Sequence, residues 1–185
     1  MKAFKIILCL MVCSEIAISV HAEQTNNTTK SNKTRIGVYD SRSIAVAFVG
    51  SEAFNARHKN LKAKHEVAKS ANNKKLIAEL EAKGKAWQKQ VHNQGFGTAS
   101  VSNILEYIKN KLPKIIEKAD VEIIVSKWDK TTLSKYKSVE QIDVTMLLID
   151  ALKPNAKQRK SAIEIQKHKP VPMKKLEKMM KKGCH

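Results

Sequence analysis

Residues 35–49 read RIGVYDSRSIAVAFV, and this stretch contains two elements separated by a polar junction. The first five residues, RIGVY, have the composition of a short strand. Asp40, Ser41 or Ser43 can then accept hydrogen bonds from the free N–H groups at the start of a helix. Residues 44–49 are apolar enough to be buried. The stretch therefore predicts a strand that leads into a helix start and a buried run.

The segment that follows is helical and has one interruption. Residues 52–70 and 74–91 have helical character, and between them the sequence ANN at residues 71–73 is typical of a helix end or a hairpin turn. The sequence leaves the hairpin tip open between Ala71 and Gly97. Four apolar residues of the second segment are spaced so that they share one helical face: Leu76, Leu80, Trp87 and Val91.

A second interruption divides the rest of the helical region. Residues 93–99, NQGFGTA, place two glycines around a phenylalanine, and from residue 100 onward the chain shows its clearest helical periodicity. Pro113 lies inside that periodic segment and predicts a kink near residues 109–112, because proline has no backbone N–H to donate. Helical arms are therefore predicted over about residues 44–119.

A β-branched run, VEIIVS at residues 121–126, predicts a second, buried strand. Residues 127–139 predict a polar loop, and residues 143–145 predict a cap for a short apolar helix that ends before Pro154. Two strands do not form a stable sheet alone, so a third strand, covering helices or further copies of the chain are needed. The predicted fold class is α+β and predominantly helical: a small β body with a helical hairpin arm and a C-terminal helix.

The first 22 residues indicate export. They combine a positively charged start, an apolar run and small residues before a cleavage position, which is the pattern of a secretory signal peptide. A membrane anchor is less favoured, because the sequence Ser-Glu at residues 14–15 shortens the apolar run. Cleavage removes Cys9 and Cys13 and leaves Cys184, so a disulfide within one chain is not expected. Residues 23–34 are polar and indicate a flexible linker.

The chain carries a formal net charge of +18, or +17 without the leader residues Lys2, Lys5 and Glu15. Such a charge attracts acidic protein, anionic lipid or nucleic acid. Nucleic acid is the least available of these outside the cytoplasm and is not predicted as a partner. Residues 51–92 contain ten lysine and arginine residues against four glutamates, which is more than solubility requires. These ten are the candidate client-binding residues: Arg57, Lys59, Lys62, Lys64, Lys69, Lys74, Lys75, Lys83, Lys85 and Lys89.

Three segments together carry a family resemblance. The sequences RIGVYDSRSIA, IIEKADVEIIVSKWD and YKSVEQIDVTMLLIDAL, in that order, resemble the Skp/OmpH family of periplasmic chaperones over about residues 35–152. The resemblance implies a strand, a helical hairpin, a returning strand and a capped last helix. It also implies a periplasmic homo-oligomer, with a trimer favoured, whose basic arms hold unfolded outer-membrane proteins or other acidic proteins. By this resemblance the chain is a divergent, short-armed member.

Two alternatives to a chaperone remain. One is a small-ligand site or an enzyme whose pocket is built from Arg42, His92, Phe96 and Trp128, since glycines beside Phe96 let a backbone approach a ligand and His92 can titrate. The other is a binder of anionic lipid or polysaccharide, which uses residues 153–185 as a basic tail. The sequence has no P-loop, no G-x-S-x-G, no H-E-x-x-H and no paired cysteine spacing, so catalytic, metal and cofactor-binding residues are not predicted, and an enzyme is not the expected class.

Overall fold

The computed structural model describes residues 34–181. The predicted signal peptide, all but the last residue of the predicted linker, and Cys184 lie outside the described residues. Strand β1 (Arg35–Tyr39) is the centre of a three-stranded sheet, with β2 (Ile123–Ser126) on one side and β3 (Glu140–Asp143) on the other. Both neighbours run parallel to β1.

The predicted α+β, predominantly helical fold is confirmed. Strand β1 lies where the sequence predicted it, and β2 covers the last four residues of the run predicted over residues 121–126, with only Val125 of β2 buried. The sequence did not predict the third strand. Its residues, EQID, include one apolar side chain, Ile142, and that side chain is only partly buried. A strand this short and polar lacks the alternation by which strands are recognised. Gln141 and Ile142 nevertheless pair with Ile36 and Gly37 of β1.

Helix α1 (Ser41–Val49) follows β1 directly and is buried along most of its length. The hairpin follows it as α2 (Glu52–Ser70) and α3 (Lys74–Phe96), and these two helices pack against each other. The tip lies at residues 71–73, where Asn72 has the left-handed backbone φ of 50°. Asn73 then caps α3 by accepting a hydrogen bond from the Leu76 N–H at 3.0 Å.

The predicted interruption at residues 93–99 is wrong in its first half, because α3 continues to Phe96 and ends at Gly97. The buried side chain of Gln94 holds the connection, donating from Nε2 to the Ser100 carbonyl at 2.7 Å and to Asn103 Oδ1 at 2.6 Å. Composition alone does not distinguish a buried, hydrogen-bonded glutamine in a helix from a glutamine in a loop. The returning arm is therefore α3, and the arms span residues 52–96.

The segment with the clearest helical periodicity is not one helix. It forms α4 (Ser102–Leu105), a 3-10 turn (Glu106–Ile108) and α5 (Leu112–Ala119). The break falls at residues 109–111, where a kink was predicted, and Pro113 occupies the first turn of α5, where its missing N–H leaves no bond unmade. The apolar periodicity nevertheless indicated which side chains are buried, because Val101, Ile104 and Ile108 all lie in the core.

Helix α1 lies at the centre of the hydrophobic core. It packs against α7 (Thr145–Leu152), against α4 and against the base of the hairpin. The fully buried apolar side chains come from elements that are far apart in sequence: Ile36, Ile44, Phe48, Val101, Ile104, Val144, Leu148 and Ile149. The short helix α6 (Lys130–Ser134) occupies part of the predicted polar loop.

Residues 153–181 pack on the body, although the sequence predicted a basic tail there; the short helix that the sequence also predicted over residues 173–182 is present. Helix α8 (Ala156–Glu164) packs along α1 and buries Ala162 in the core, and α9 (Met173–Lys181) buries Leu176 beside α3. The predicted domain boundary at Leu152 is thus crossed by core contacts. The sequence of α8, AKQRKSAIE, has too few apolar residues to indicate a buried face. Between residues 34 and 181 none of the helices combines the length and apolar character needed to cross a membrane.

Gly50 tests whether α8 is an integral part of the fold. A Cβ at Gly50 would lie 2.5 Å from Gln158 Cβ, although the backbone φ of −96° suits any residue. We expect Gly50→Ala to displace α8 and to lower the free energy of unfolding by about 1–3 kcal/mol, as overpacking usually does. Urea denaturation measures this change.

Gly84→Ala is the matched control. Its Cβ would have its nearest neighbour at 3.8 Å, so the variant should gain about 0.5–1 kcal/mol from helix propensity. A Gly50→Ala protein as stable as the parent would show that α8 packs loosely.

Candidate functional site

The base of the hairpin is tied to the core by aromatic side chains. The Phe54 ring of α2 lies 4.8 Å from the Trp87 ring of α3 and 5.6 Å from Phe48 of α1, measured between centroids. Phe48 also contacts Tyr107, with centroids 5.0 Å apart. Ser51 begins α2, accepting a hydrogen bond from the Phe54 N–H at 3.2 Å. The hairpin therefore leaves the body in a defined direction.

A groove runs between α2 and α3 on one side of this aromatic cluster, with a volume of about 890 Å³. We call it the basic groove. Its apolar lining comes from both helices and from the 3-10 turn, and its polar lining consists of three cations and two amides. The lining residues are Ala53, Ala56, Arg57, Asn60, Leu61, Lys64, Leu76, Leu80, Lys83, Ala86, Trp87, Gln90 and Tyr107.

The charge of the basic groove has one sign. Arg57, Lys64 and Lys83 line it, and among the described residues no carboxylate does. The Arg57 guanidinium lies 4.7 Å from the centroid of the Trp87 ring, so a cation–π interaction favours this position of the cation. The groove thus offers an apolar surface next to cations, an arrangement suited to a segment that is both apolar and acidic.

All ten candidate client-binding cations are exposed on the hairpin. Three of them line the basic groove, and the other seven lie elsewhere on α2 and α3. Two of the four glutamates are engaged within the hairpin: Glu66 contacts Lys69 at 3.6 Å, and Glu81 contacts His65 at 3.5 Å. The positive charge of the hairpin surface is therefore only partly offset by its own acids.

The four residues of the predicted pocket fall into two pairs. Arg42 lies with its Cζ 5.0 Å from the centroid of Trp128. His92 and Phe96 lie with their rings 5.8 Å apart and line a different cavity, between α1, α3 and α8. Within residues 34–181 the lining of that cavity includes neither Arg42 nor Trp128. In the sequence, His92 and Phe96 lie near glycines, and Arg42 and Trp128 lie near strand ends. These local positions do not indicate which of the four side chains come together in the fold.

Arg42 and Trp128 meet around the buried carboxylate of Asp40. Arg42 donates from Nη2 to Asp40 Oδ2 at 2.8 Å, Trp128 donates from Nε1 to Oδ1 at 3.1 Å, and Lys127 Nζ lies 2.6 Å from Oδ2. Asp40 also caps α1 through the Arg42 N–H at 3.0 Å. The predicted helix cap at Asp40 is thus present, and its carboxylate also compensates two cations.

Burial by itself raises the pKa of Asp40, and hydrogen bonds from Arg42, Lys127 and Trp128 outweigh this effect, so the pKa lies below its ordinary value. The carboxylate stays charged wherever the protein is folded at moderate pH. Arg42, Lys127 and Trp128 all contact the carboxylate, and Arg42 and Trp128 share Oδ1. Within the described residues no group of three His, Cys, Asp or Glu side chains is placed to hold a metal ion.

Compared with models of protein families, with curated proteins and with solved structures, the chain matches none.

Asp40→Asn removes the one anion between Arg42 and Lys127. Because it leaves a buried cation without a counter-charge, we expect a loss of roughly 3–5 kcal/mol in the free energy of unfolding near neutral pH. The lowered pKa also fixes the sign of the pH dependence: the contribution of Asp40 is present above the unfolded pKa of about 3.9 and is lost as the pH falls through the lower folded pKa. The variant should lack this acid-dependent loss. Urea titrations at a series of pH values measure both effects.

Glu117→Gln changes an exposed carboxylate on α5 and is the control. It should alter stability by less than about 0.5 kcal/mol. Equal stability of Asp40→Asn and the parent would contradict a central role for the cluster.

Proposed function

We propose that this protein is an exported, chaperone-like holding protein that binds unfolded or acidic protein segments along its α2–α3 hairpin. The basic groove carries the proposal. It combines leucine and tryptophan surface with Arg57, Lys64 and Lys83 and, within the described residues, has no lining carboxylate. Asn60 and Gln90 add amide groups that can bond to the backbone of an extended chain.

The balance of forces in the groove suits capture and release. Long-range attraction by the basic hairpin raises the rate of encounter with acidic segments. Each exposed charge contact adds only about 0.2–1 kcal/mol, so binding depends on several contacts at once. Apolar side chains of an unfolded client are then removed from water by contact with Leu61, Leu80 and Trp87. Such plural, weak contacts hold a client without trapping it.

Clients are proposed to be unfolded outer-membrane proteins or other acidic proteins, in the periplasm, as the resemblance to the Skp/OmpH family implies. The arms are short for this task. Helix α2 has 19 residues, which corresponds to about 28 Å at ~1.5 Å per residue. A single hairpin therefore offers little surface to an unfolded chain, and several hairpins acting together would offer more.

Self-association into a homo-oligomer, with a trimer favoured, is part of the proposal. In the described part of the chain the outer edges of β2 and β3 carry no further strand. Each edge is four residues long and presents unpaired backbone groups that another copy can bond. Association through these edges places the contact between copies in the body and leaves the hairpins free.

The double variant Lys64→Glu/Lys83→Glu tests the groove. Reversing two charges should weaken binding of an unfolded, acid-rich β-barrel protein by about 1–2 kcal/mol, a factor of roughly 5–30. The measurement is light scattering of that client diluted from urea with increasing amounts of the protein. The difference between parent and variant should shrink at high salt, because the contacts are exposed.

Lys174→Glu/Lys178→Glu changes the net charge by the same amount on α9, away from the groove, and should leave holding activity near that of the parent. Equal losses in both double variants would mean that net charge, and not the groove, binds the client. A parent protein that leaves client aggregation unchanged would refute the proposed function.

Sedimentation equilibrium of the mature protein tests the oligomer. We expect a mass three times that of one chain at micromolar concentration, unaffected by the Lys64→Glu/Lys83→Glu change, because the groove lies on the hairpin and the strand edges lie in the body. A strictly monomeric protein would contradict association through the strand edges.

A further inference from the structure

A second apolar surface lies along α3, on the side of the hairpin base that faces α1 and α8. Two adjoining cavities form it, of about 520 and 400 Å³, and both are lined by Val49, Val91 and His92. We call it the α3 trough. Along α3 its lining residues recur every three or four positions and so share one face: Gly84, then Trp87 and Gln88, then Val91 and His92, then Gly95 and Phe96.

Two glycines of α3 line the trough, Gly84 in the interior of the helix and Gly95 in its last turn. Glycine within a helix costs about 0.5–1 kcal/mol relative to alanine. Neither Gly84 nor Gly95 needs that freedom, since neither has a positive φ and an added Cβ would have its nearest neighbour at 3.8 Å, Leu61 Cδ2 and Val46 Cγ2 respectively. A small side chain would therefore fit at both positions. What the glycines provide is an open trough, and at Gly84 this comes at the expense of helix stability.

The lining of the α3 trough suits an alkyl chain better than an extended peptide. From Gly84 to Phe96 it extends about 18 Å at ~1.5 Å per residue, and its walls are mostly aliphatic and aromatic. An extended peptide placed there would need a partner for every backbone N–H and C=O group, and few are available. An alkyl chain has no such groups and gains from burial along its whole length.

The hydrogen-bond donors of the trough and the net charge of the protein favour an anionic headgroup. Three histidines line the trough, His58, His92 and His168, and a ring N–H of each can donate to a carboxylate. Among the described residues the one charged side chain of the lining is Glu164. Glu164 is already engaged, with Lys167 Nζ at 2.8 Å from Oε2 and His168 Nε2 at 3.8 Å from Oε1. The chain as a whole has a net charge of +18. A cationic head would meet this field unfavourably and an anionic one favourably.

We propose that the α3 trough is a binding site for a free fatty acid, with the acyl chain along α3 and the carboxylate beside the histidines. Leu61 and Trp87 line both the smaller cavity of the trough and the basic groove, whereas the larger cavity, which contains Gly95, shares no lining residue with the groove. The Gly95 end of the site can therefore be tested apart from client binding. The volume of each cavity lies within the range of small-molecule sites, which are typically 300–1,000 Å³.

Dodecanoate, titrated below its micelle concentration and followed by calorimetry, is the probe. The parent protein should bind it with one site per chain. Gly95→Leu, whose side chain would extend towards Val46, should weaken binding at least tenfold, and Gly95→Ala should bind within about threefold of the parent. Gly84→Leu fills the other cavity and should also weaken binding, so that the test survives if one leucine variant fails to fold. Thermal unfolding of each variant establishes that it is folded.

Three further ligands test which headgroup the site prefers and whether it binds a free fatty acid or a lipid membrane. Dodecylammonium should bind at least tenfold more weakly than dodecanoate, and dodecanol should lie between them. Any binding of anionic phospholipid vesicles should be the same for the Gly95→Leu protein as for the parent. The proposal is overturned if a folded Gly95→Leu protein binds dodecanoate like the parent, if dodecylammonium binds as tightly, or if only vesicles bind.

The Gly95→Leu protein also separates this site from the proposed function. It should hold an unfolded client as well as the parent does, whereas Lys64→Glu/Lys83→Glu should bind dodecanoate normally. Loss of fatty-acid binding with intact client holding, and the converse in the groove variant, is the pattern expected of two separate sites. Loss of both activities in both folded variants would contradict their separation.

Discussion

The fold depends on one buried carboxylate. Asp40 ends β1, caps α1 and accepts hydrogen bonds from Arg42 and Trp128, with Lys127 beside it. Its own N–H donates to Thr145 Oγ1 at the start of α7, and Arg42 Nη1 donates to the His168 carbonyl beyond α8. Chain segments more than a hundred residues apart therefore converge on one polar cluster inside an apolar core. Because a buried charge is tolerated only when it is paired, this cluster restricts how the strands, α1, α7 and the C-terminal segment can be arranged.

The arrangement around that cluster decides what the hairpin can present. Helix α1 lies in the body, and Phe48 anchors the aromatic base formed by Phe54 and Trp87. From this base the hairpin has two different sides. The basic groove joins apolar surface to cations, and the α3 trough is apolar with histidines. The two surfaces share Leu61 and Trp87 but differ in their other neighbours, because one lies beside the cations of α2 and α3 and the other extends to α1 and α8.

Several features of the fold could be predicted from local residue patterns. The strand RIGVY and the helix over residues 52–70 have strong local signals, and each is where the sequence predicted it. The sequence leaves the hairpin tip open between Ala71 and Gly97, and the tip lies at residues 71–73, one of the candidate positions. The errors came where local and tertiary signals differ. Two glycines suggested a loop inside α3, the polar β3 had no strand pattern, and α8 resembled a tail because its buried face is essentially Ala162. Packing against α1 stabilises α8 in a way that helix propensity does not reveal.

The sequence by itself determined the charge, the approximate order of the elements and the ten cations of the hairpin, because these are properties of composition and short-range periodicity. Only the tertiary structure decided which of those cations share a groove with apolar side chains, and that Arg42 and Trp128 meet at Asp40 while His92 and Phe96 line a separate cavity. The physical reason is that a site is formed by side chains brought together from distant segments. The sequence specifies each of those side chains locally, but their neighbours are set by how α1, α3 and α8 pack.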